Sequence, residues 1–196
     1  MVLPRVLDRA ELPVDTAELA RFLIGKRVVR TLAEGVAGSR VVETEAYGIG
    51  DPAGHAYRGI TPRIRTLFLE RGHAYVYLAY GISFMLNVSS EMPGVGAGVL
   101  IRAIEPTDGI AEMRRRRGLE DIRALCSGPG KLCAALGVTG ALDGHMLDAP
   151  PFALTLPRRP LPAAIGPRIG ITKAVDVPWR FGASGSKFMS KPFPRA

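Results

Sequence analysis

The stretch HAYVYLAYGISFMLNVS, residues 73–89, holds two strand-like runs that meet at Gly81. So short a connection leaves no room for a crossover, and the two runs have to pair antiparallel. A third run rich in β-formers, GVLIRAIEP (98–106), continues the sheet. Upstream, KRVVRTLA (26–33) and SRVVETEAY (39–47) read as two more strands, separated by the turn-rich EGVAGS. Helical spacing appears in VDTAELARFLIG (14–25), where Asp15 or Thr16 can cap the first turn, Leu19, Phe22 and Leu23 form an apolar stripe, and Gly25 can end it. Further helices are expected from Thr61, with Pro62 in the first turn, and over GIAEMRRRRG and SGPGKLCAALG. Short strands and proline-rich connections are expected around 149–167. The fold class is therefore α+β: one domain over 1–196 with a curved, mainly antiparallel, barrel-like β-sheet surrounded by helices and a protruding β-hairpin.

Composition narrows the function. The chain carries 26 Lys+Arg against 18 Asp+Glu, a formal charge of +8. A basic surface of this kind attracts polyanions. No run reaches the roughly 18 apolar residues of a membrane span, and the N-terminus has no apolar leader core. The sequence thus reads as soluble and cytoplasmic, with no membrane partner. Cys126 and Cys133 lie too far apart along a helix to bridge and are expected as free, buried thiols. His55, His73 and His145 lack metal-ligand spacing, so neither metal nor cofactor is expected.

Within the strand VVETEAY, alternation sets Glu43, Glu45 and Tyr47 on one face. Carboxylates on a strand usually face water, yet these share their face with Val41 and lead into a loop that carries His55. Alternate positions lie roughly 7 Å apart, near the separation of glycoside-hydrolase carboxylate pairs. Side chains on one strand, however, run parallel and do not flank a sugar. Arg102 sits in an apolar strand and either pairs with a carboxylate, for which Glu45 is the natural choice, or finds a partner elsewhere or snorkels to the surface. In the hairpin, Tyr75 and Tyr77 share a face, whereas Tyr80 has the opposite parity and stands beside Gly81. Such a residue either folds back over the sheet or serves as a wedge between base pairs. The run Arg114 to Arg117 covers a whole helical turn and reads as a solvated basic helix end. SGPGKL could open a helix toward a phosphate.

The ordered set VETEAY, DPAGHAYRGITPRIR, YVYLAYGISFMLNVS, VLIRAIEP, LCSGPGKLCAALGV, RIGI and PWRF resembles the 3-methyladenine (alkylpurine) DNA glycosylases, from about residue 14 to residue 190. The resemblance implies a monofunctional base-excision repair enzyme that acts as a monomer on double-stranded DNA containing a damaged purine. It further implies Glu45 as the base that activates water, with Arg102 holding that water and the carboxylate. Tyr47, His55 and Tyr77 would sandwich the flipped base. Asn87 would lie on the pocket floor and disfavour guanine, and Tyr80 would intercalate. Glu43 is left to structure or local electrostatics. No lysine falls in the pocket blocks, so no Schiff base and no AP lyase activity are expected. The alternative from another class is a nucleic-acid-binding module without catalysis.

Overall fold

The hairpin at residues 73–89 forms one edge of a single curled sheet in the computed structural model, which describes residues 5–156 and 161–193. Among these residues the strands are β1 (Arg27–Leu32), β2 (Gly35–Tyr47), β3 (Ala74–Ala79), β4 (Ser83–Ser89), β5 (Gly98–Asp108), β6 (Phe152–Thr155), β7 (Ala163–Gly166) and β8 (Arg180–Ala183). Their order is β3-β4-β5-β2-β1-β6, with β8 also on β2 and β7 on β8, and every pairing is antiparallel. The helices are α1 (Thr16–Leu23), α2 (Ile110–Arg117), α3 (Ile122–Leu125) and α4 (Pro129–Leu136). The architecture is α+β, as expected.

The long strand β2 organises the rest. β5 runs along one edge from Gly38 to Tyr47; the other edge is shared, with β1 on the first half and β8 against Glu43–Glu45. Residues 43–45 are thus paired on both sides. Register shifts around Gly38, Glu43 and Thr44 bend the strand, as bulges do, and curl the sheet. One face of β2 meets α1. Asp15 caps that helix by accepting from the Glu18 N–H at 2.8 Å, Leu19, Ala20 and Leu23 are buried, and the Thr44 hydroxyl donates to the Ala20 carbonyl at 2.8 Å. Each buried leucine contributes about 1.5–3 kcal/mol. At Gly25, with φ of 84°, the helix ends and the chain turns back to β2 through a hydrogen bond to the Val41 carbonyl. The three remaining helices pack Met113, Leu125, Leu132, Cys133 and Leu136 into the same core.

Three expectations shift. The segment 34–39 is not a separate turn region: reversal takes only Ala33 and Glu34, and Gly35–Arg40 pair with β1. No helix starts at Thr61; a turn closes there, Ile64 N–H to Thr61 carbonyl at 3.1 Å, and only Arg65–Phe68 winds as a 3-10 turn. Cys126 caps α3 while Cys133 lies in α4; both are free and buried, and burial pushes both thiols up to about 12. α3 itself has too little apolar periodicity to be read from sequence. Within the proline-rich stretch, β6 and β7 form and residues 157–160 lie outside the described residues. Among the described residues no helix is long and apolar enough to cross a membrane.

Candidate active site

The face of β2 opposite α1 carries Glu43, Glu45 and Tyr47 inward rather than into water. Glu45 has 0 % exposure, covered by the segment after β7. Its Oε2 accepts from the Tyr47 hydroxyl at 2.9 Å and from Arg102 Nη1 at 3.1 Å, and its Oε1 accepts from the Ile169 N–H at 2.6 Å. Burial raises its pKa above the ordinary value, opposed by the Arg102 charge, the Ile169 N–H and the Tyr47 hydroxyl. Arg102 is the shared partner of both carboxylates, reaching Glu43 Oε1 through Nε at 3.3 Å. Glu43 is held further by Arg180 Nε at 2.8 Å and by the Ser190 N–H and hydroxyl at 2.6 and 2.9 Å.

Beside Glu45 lies a cavity of about 100 Å³. Tyr47 closes β2 at its rim, His55 opens the 3-10 turn His55–Arg58, Tyr75 and Tyr77 come from β3, Asn87 from β4 and Leu100 from β5. Tyr75 and Tyr77 stack with centroids 5.3 Å apart, and the His55 ring meets Tyr77 edge-on at 4.6 Å. His55 Nδ1 and the Tyr75 hydroxyl are hydrogen-bonded at 3.0 Å. Burial, then the nearby Arg63 charge, lowers the His55 pKa, which favours a neutral ring. Asn87 is pinned in place: its Nδ2 donates to the Tyr75 carbonyl across the β3–β4 pair at 3.2 Å. Gly98 faces Tyr47 in register, and a Cβ there would come within 2.7 Å of Leu67 Cδ2, so only glycine keeps this wall thin.

The structure therefore sets Tyr47, His55, Tyr77 and Asn87 in the cavity wall, places Glu45 and Arg102 behind that wall and joined to it through the Tyr47 hydroxyl, and sets Tyr80 apart. Tyr80 stands at the hairpin tip, three residues beyond Tyr77 or roughly 10 Å along the strand. It is 95 % exposed, so it does not fold back over the sheet; Ile82 beside it is 82 % exposed. Tyr80 and Gly81 have φ of 50° and 68°, and the Ile82 N–H closes the turn on the Ala79 carbonyl at 2.9 Å. The first of these positions favours asparagine or glycine, and tyrosine there costs on the order of 1–2 kcal/mol. A strained, solvated aromatic at a turn tip gains nothing from packing.

Three parts of the site were not picked out from sequence. Tyr75 shares the parity of Tyr77 and could have been taken with it. The Ile169 N–H is a backbone group, without side-chain signature. Arg168, next to it, is buried against Asp51 and lies over the Tyr47 ring at 4.9 Å. The arginine run on α2 is mostly spent internally: Arg114 on Glu120, Arg115 and Arg116 on Glu112 and Glu34. Among the described residues, Arg58, Arg63 and Arg65, close to the cavity, have no carboxylate partner.

A buried carboxylate thus stands behind an aromatic cavity, with a tyrosine raised on the neighbouring hairpin. Comparison with known proteins shows the family. The family model described as methylpurine-DNA glycosylase matches residues 10–187. A relative from Mesorhizobium japonicum is 59 % identical over 95 % of this chain and 90 % of its own length. One from Nitrosospira multiformis is 53 % identical over 91 % of both chains, and one from Bradyrhizobium diazoefficiens 52 % over 98 % of this chain and 94 % of its own. Each bears the description "Putative 3-methyladenine DNA glycosylase". The chain belongs to the methylpurine-DNA glycosylase family. It is a DNA glycosylase acting in DNA repair, and this sets aside a binding module without catalysis.

Proposed function

We propose that the protein excises alkylated or deaminated purines from duplex DNA by hydrolysis, with Glu45 as the base that activates water. The observation that carries this reading is the hydrogen-bond count at Glu45. Oε2 accepts two donors, whereas Oε1 accepts only the Ile169 N–H, so one acceptor position on Oε1 remains for water. In the reaction Glu45 takes a proton from that water as its oxygen bonds to the sugar carbon. The N-glycosidic bond breaks and its electron pair departs with the base. Positive charge that builds on the deoxyribose is stabilised by the carboxylate in a site without bulk water. Arg102 holds the carboxylate and the water in place.

The damaged base reaches this site only by leaving the stack, at a cost of a few kcal/mol. Tyr47 on one side and the His55 and Tyr77 rings on the other sandwich it, and an electron-poor alkylated purine gains from those faces. Asn87, fixed by the Tyr75 carbonyl, cannot swing away and so opposes the exocyclic amino group of guanine. Arg58, Arg63 and Arg65 offer positive charge to the phosphates around the extruded nucleotide. No lysine lines the cavity among the described residues, so no Schiff base forms and the product is an intact abasic site. One chain, residues 1–196, carries every group named, and the enzyme works as a monomer.

The test is a labelled duplex containing hypoxanthine, ethenoadenine or 3-methyladenine, incubated with the protein and then split with and without alkali. A strand break that needs alkali is expected; a break without alkali contradicts the hydrolytic assignment, and none on any lesion contradicts the substrate class. Tyr80 is the wedge that fills the vacated stack. Tyr80→Asn removes the ring and suits the positive φ, so lesion-duplex affinity should fall about 10- to 100-fold, the worth of one stacked aromatic. Thermal stability should hold or rise. Unchanged affinity by fluorescence anisotropy rules out the wedge.

A further inference from the structure

Behind Tyr47 the structure buries a second cation that the reaction above does not use. The guanidinium of Arg168 ties three segments together. Its Nη1 donates to the carbonyl of Ala46, the residue between Glu45 and Tyr47, at 3.0 Å. Both terminal nitrogens grip the carboxylate of Asp51, Nη2 at 3.2 Å, and Asp51 in turn accepts from the Ala53 N–H in the loop that leads to His55. Nη2 also reaches the carbonyl of Ala174 at 3.3 Å, a non-glycine residue held at φ of 47°. The plane lies between the Tyr47 ring at 4.9 Å and the Trp179 ring at 5.5 Å. The next residue in the chain is Ile169, whose N–H donates to Glu45 Oε1.

Packing does not require this arginine. Aliphatic side chains at both 168 and 51 would fill the same buried space without leaving the Nε–H partnerless, as it is here. A buried ion pair is also weak as a source of stability. What the fork does supply is geometry: fixed angles at several acceptors at once, which a lysine cannot reproduce.

We propose that Arg168 is a positioning residue for glycosidic hydrolysis. It locks the Ile169 peptide against Glu45 Oε1, which fixes the direction of that oxygen's remaining acceptor site, and it braces the Tyr47 ring on which the extruded purine stacks. This rests on the assignment of Glu45 as base. Small displacements matter here, because a shift of about 1 Å at a reacting group can lower a rate by about a hundredfold.

The test compares Arg168→Lys and Asp51→Asn with the unmodified protein in single-turnover excision at saturating enzyme, across pH. Glu45 faces Tyr47 and Glu43 from its own strand, Arg102 from β5, Tyr77 from β3 and the Ile169 N–H from the loop. Of these the Ile169 and Tyr47 contacts depend on Arg168, and both hold the carboxyl's pKa down. Arg168→Lys is therefore expected to lower the plateau rate about 10- to 100-fold and move the acid limb to higher pH. Asp51→Asn, which keeps the side-chain shape, should do the same to a smaller degree and serves if the lysine variant fails to fold. A plateau and acid limb unchanged in a folded variant overturn the proposal. So does a rate loss that only tracks the folded fraction with the limb unmoved. Glu45→Gln run in parallel separates the two assignments: wild-type excision there removes the base itself and the proposal with it, whereas a dead Glu45→Gln beside an unaffected Arg168→Lys removes Arg168 alone.

Discussion

Glu45→Gln is expected to lose about 10²- to 10⁴-fold in single-turnover excision while still binding lesion duplex, the range for removing a positioned general base. The amide oxygen can take the place of Oε2 and keep the contacts from Tyr47 and Arg102. Its NH2 then replaces Oε1 and points a donor at the Ile169 N–H, where the carboxylate accepts at 2.6 Å. The open acceptor site is lost with it, and no proton can be taken from water. The ionised form is the working form, and burial raises its pKa above the usual carboxylate range near about 4.3. Excision should therefore fall as pH drops through that raised value, and this limb should be missing from whatever activity the variant retains. The same shift acts against folding: the folded state holds the Glu45 proton to higher pH than the unfolded state does. Stability from this group is present below its unfolded pKa and declines as pH rises through its folded one. Near-normal turnover in Glu45→Gln, with lesion affinity intact, would falsify the assignment.

How much of this could be read from the sequence depends on the distance over which each feature is decided. The β3–β4 hairpin follows from alternation and one glycine, and Tyr80 at its tip follows from parity, because both are settled within a dozen neighbouring residues. Pairing of Glu45 with Arg102 could be anticipated because each was costly alone in an apolar strand and each needed the other. By contrast, 34–39 was misread as turn because β2 becomes a strand there through its partner β1, and glycine content gave no hint of that pairing. The donor to Glu45 Oε1 is a peptide N–H that lies 124 residues away, so no residue type marks it. Arg180 and Ser190 lie just as far from Glu43 in sequence. The Glu45–Arg102 pair was therefore legible in side chains, and its orientation was not, because backbone groups and a distant loop supply it.

Glu43 provides the second large effect, and it acts on stability. Truncation in Glu43→Ala should cost about 3–5 kcal/mol, the penalty for stranding buried charge. The carboxylate has 0 % exposure and is the acceptor for Arg102, Arg180 and both donors of Ser190. Without it the buried Arg180 guanidinium loses its carboxylate partner, and Arg102 is left with Glu45 alone. The consequence spreads to the C-terminal stretch. Ser190 is pinned by Glu43, Arg180 donates to the Lys191 carbonyl and lies over the Phe193 ring at 4.2 Å, and that ring sits against Gly182, where a Cβ would come within 2.4 Å of it. Loss of the carboxylate frees residues 190–193 from β8. For a chain of this size, the expected drop in Tm is roughly 10 °C or more. Hydrogen exchange should rise first at the Ser190 amide, whose acceptor is gone. Glu43→Gln, which keeps one acceptor oxygen, should lose less. The contrast with position 45 is the decisive part: Glu45→Gln should abolish excision at a modest cost in Tm, whereas Glu43→Ala should lower Tm sharply and slow excision only as far as Arg102 drifts. A Glu43→Ala protein that melts with the unmodified one would mean that water entering the gap solvates Arg180 well enough to replace the carboxylate.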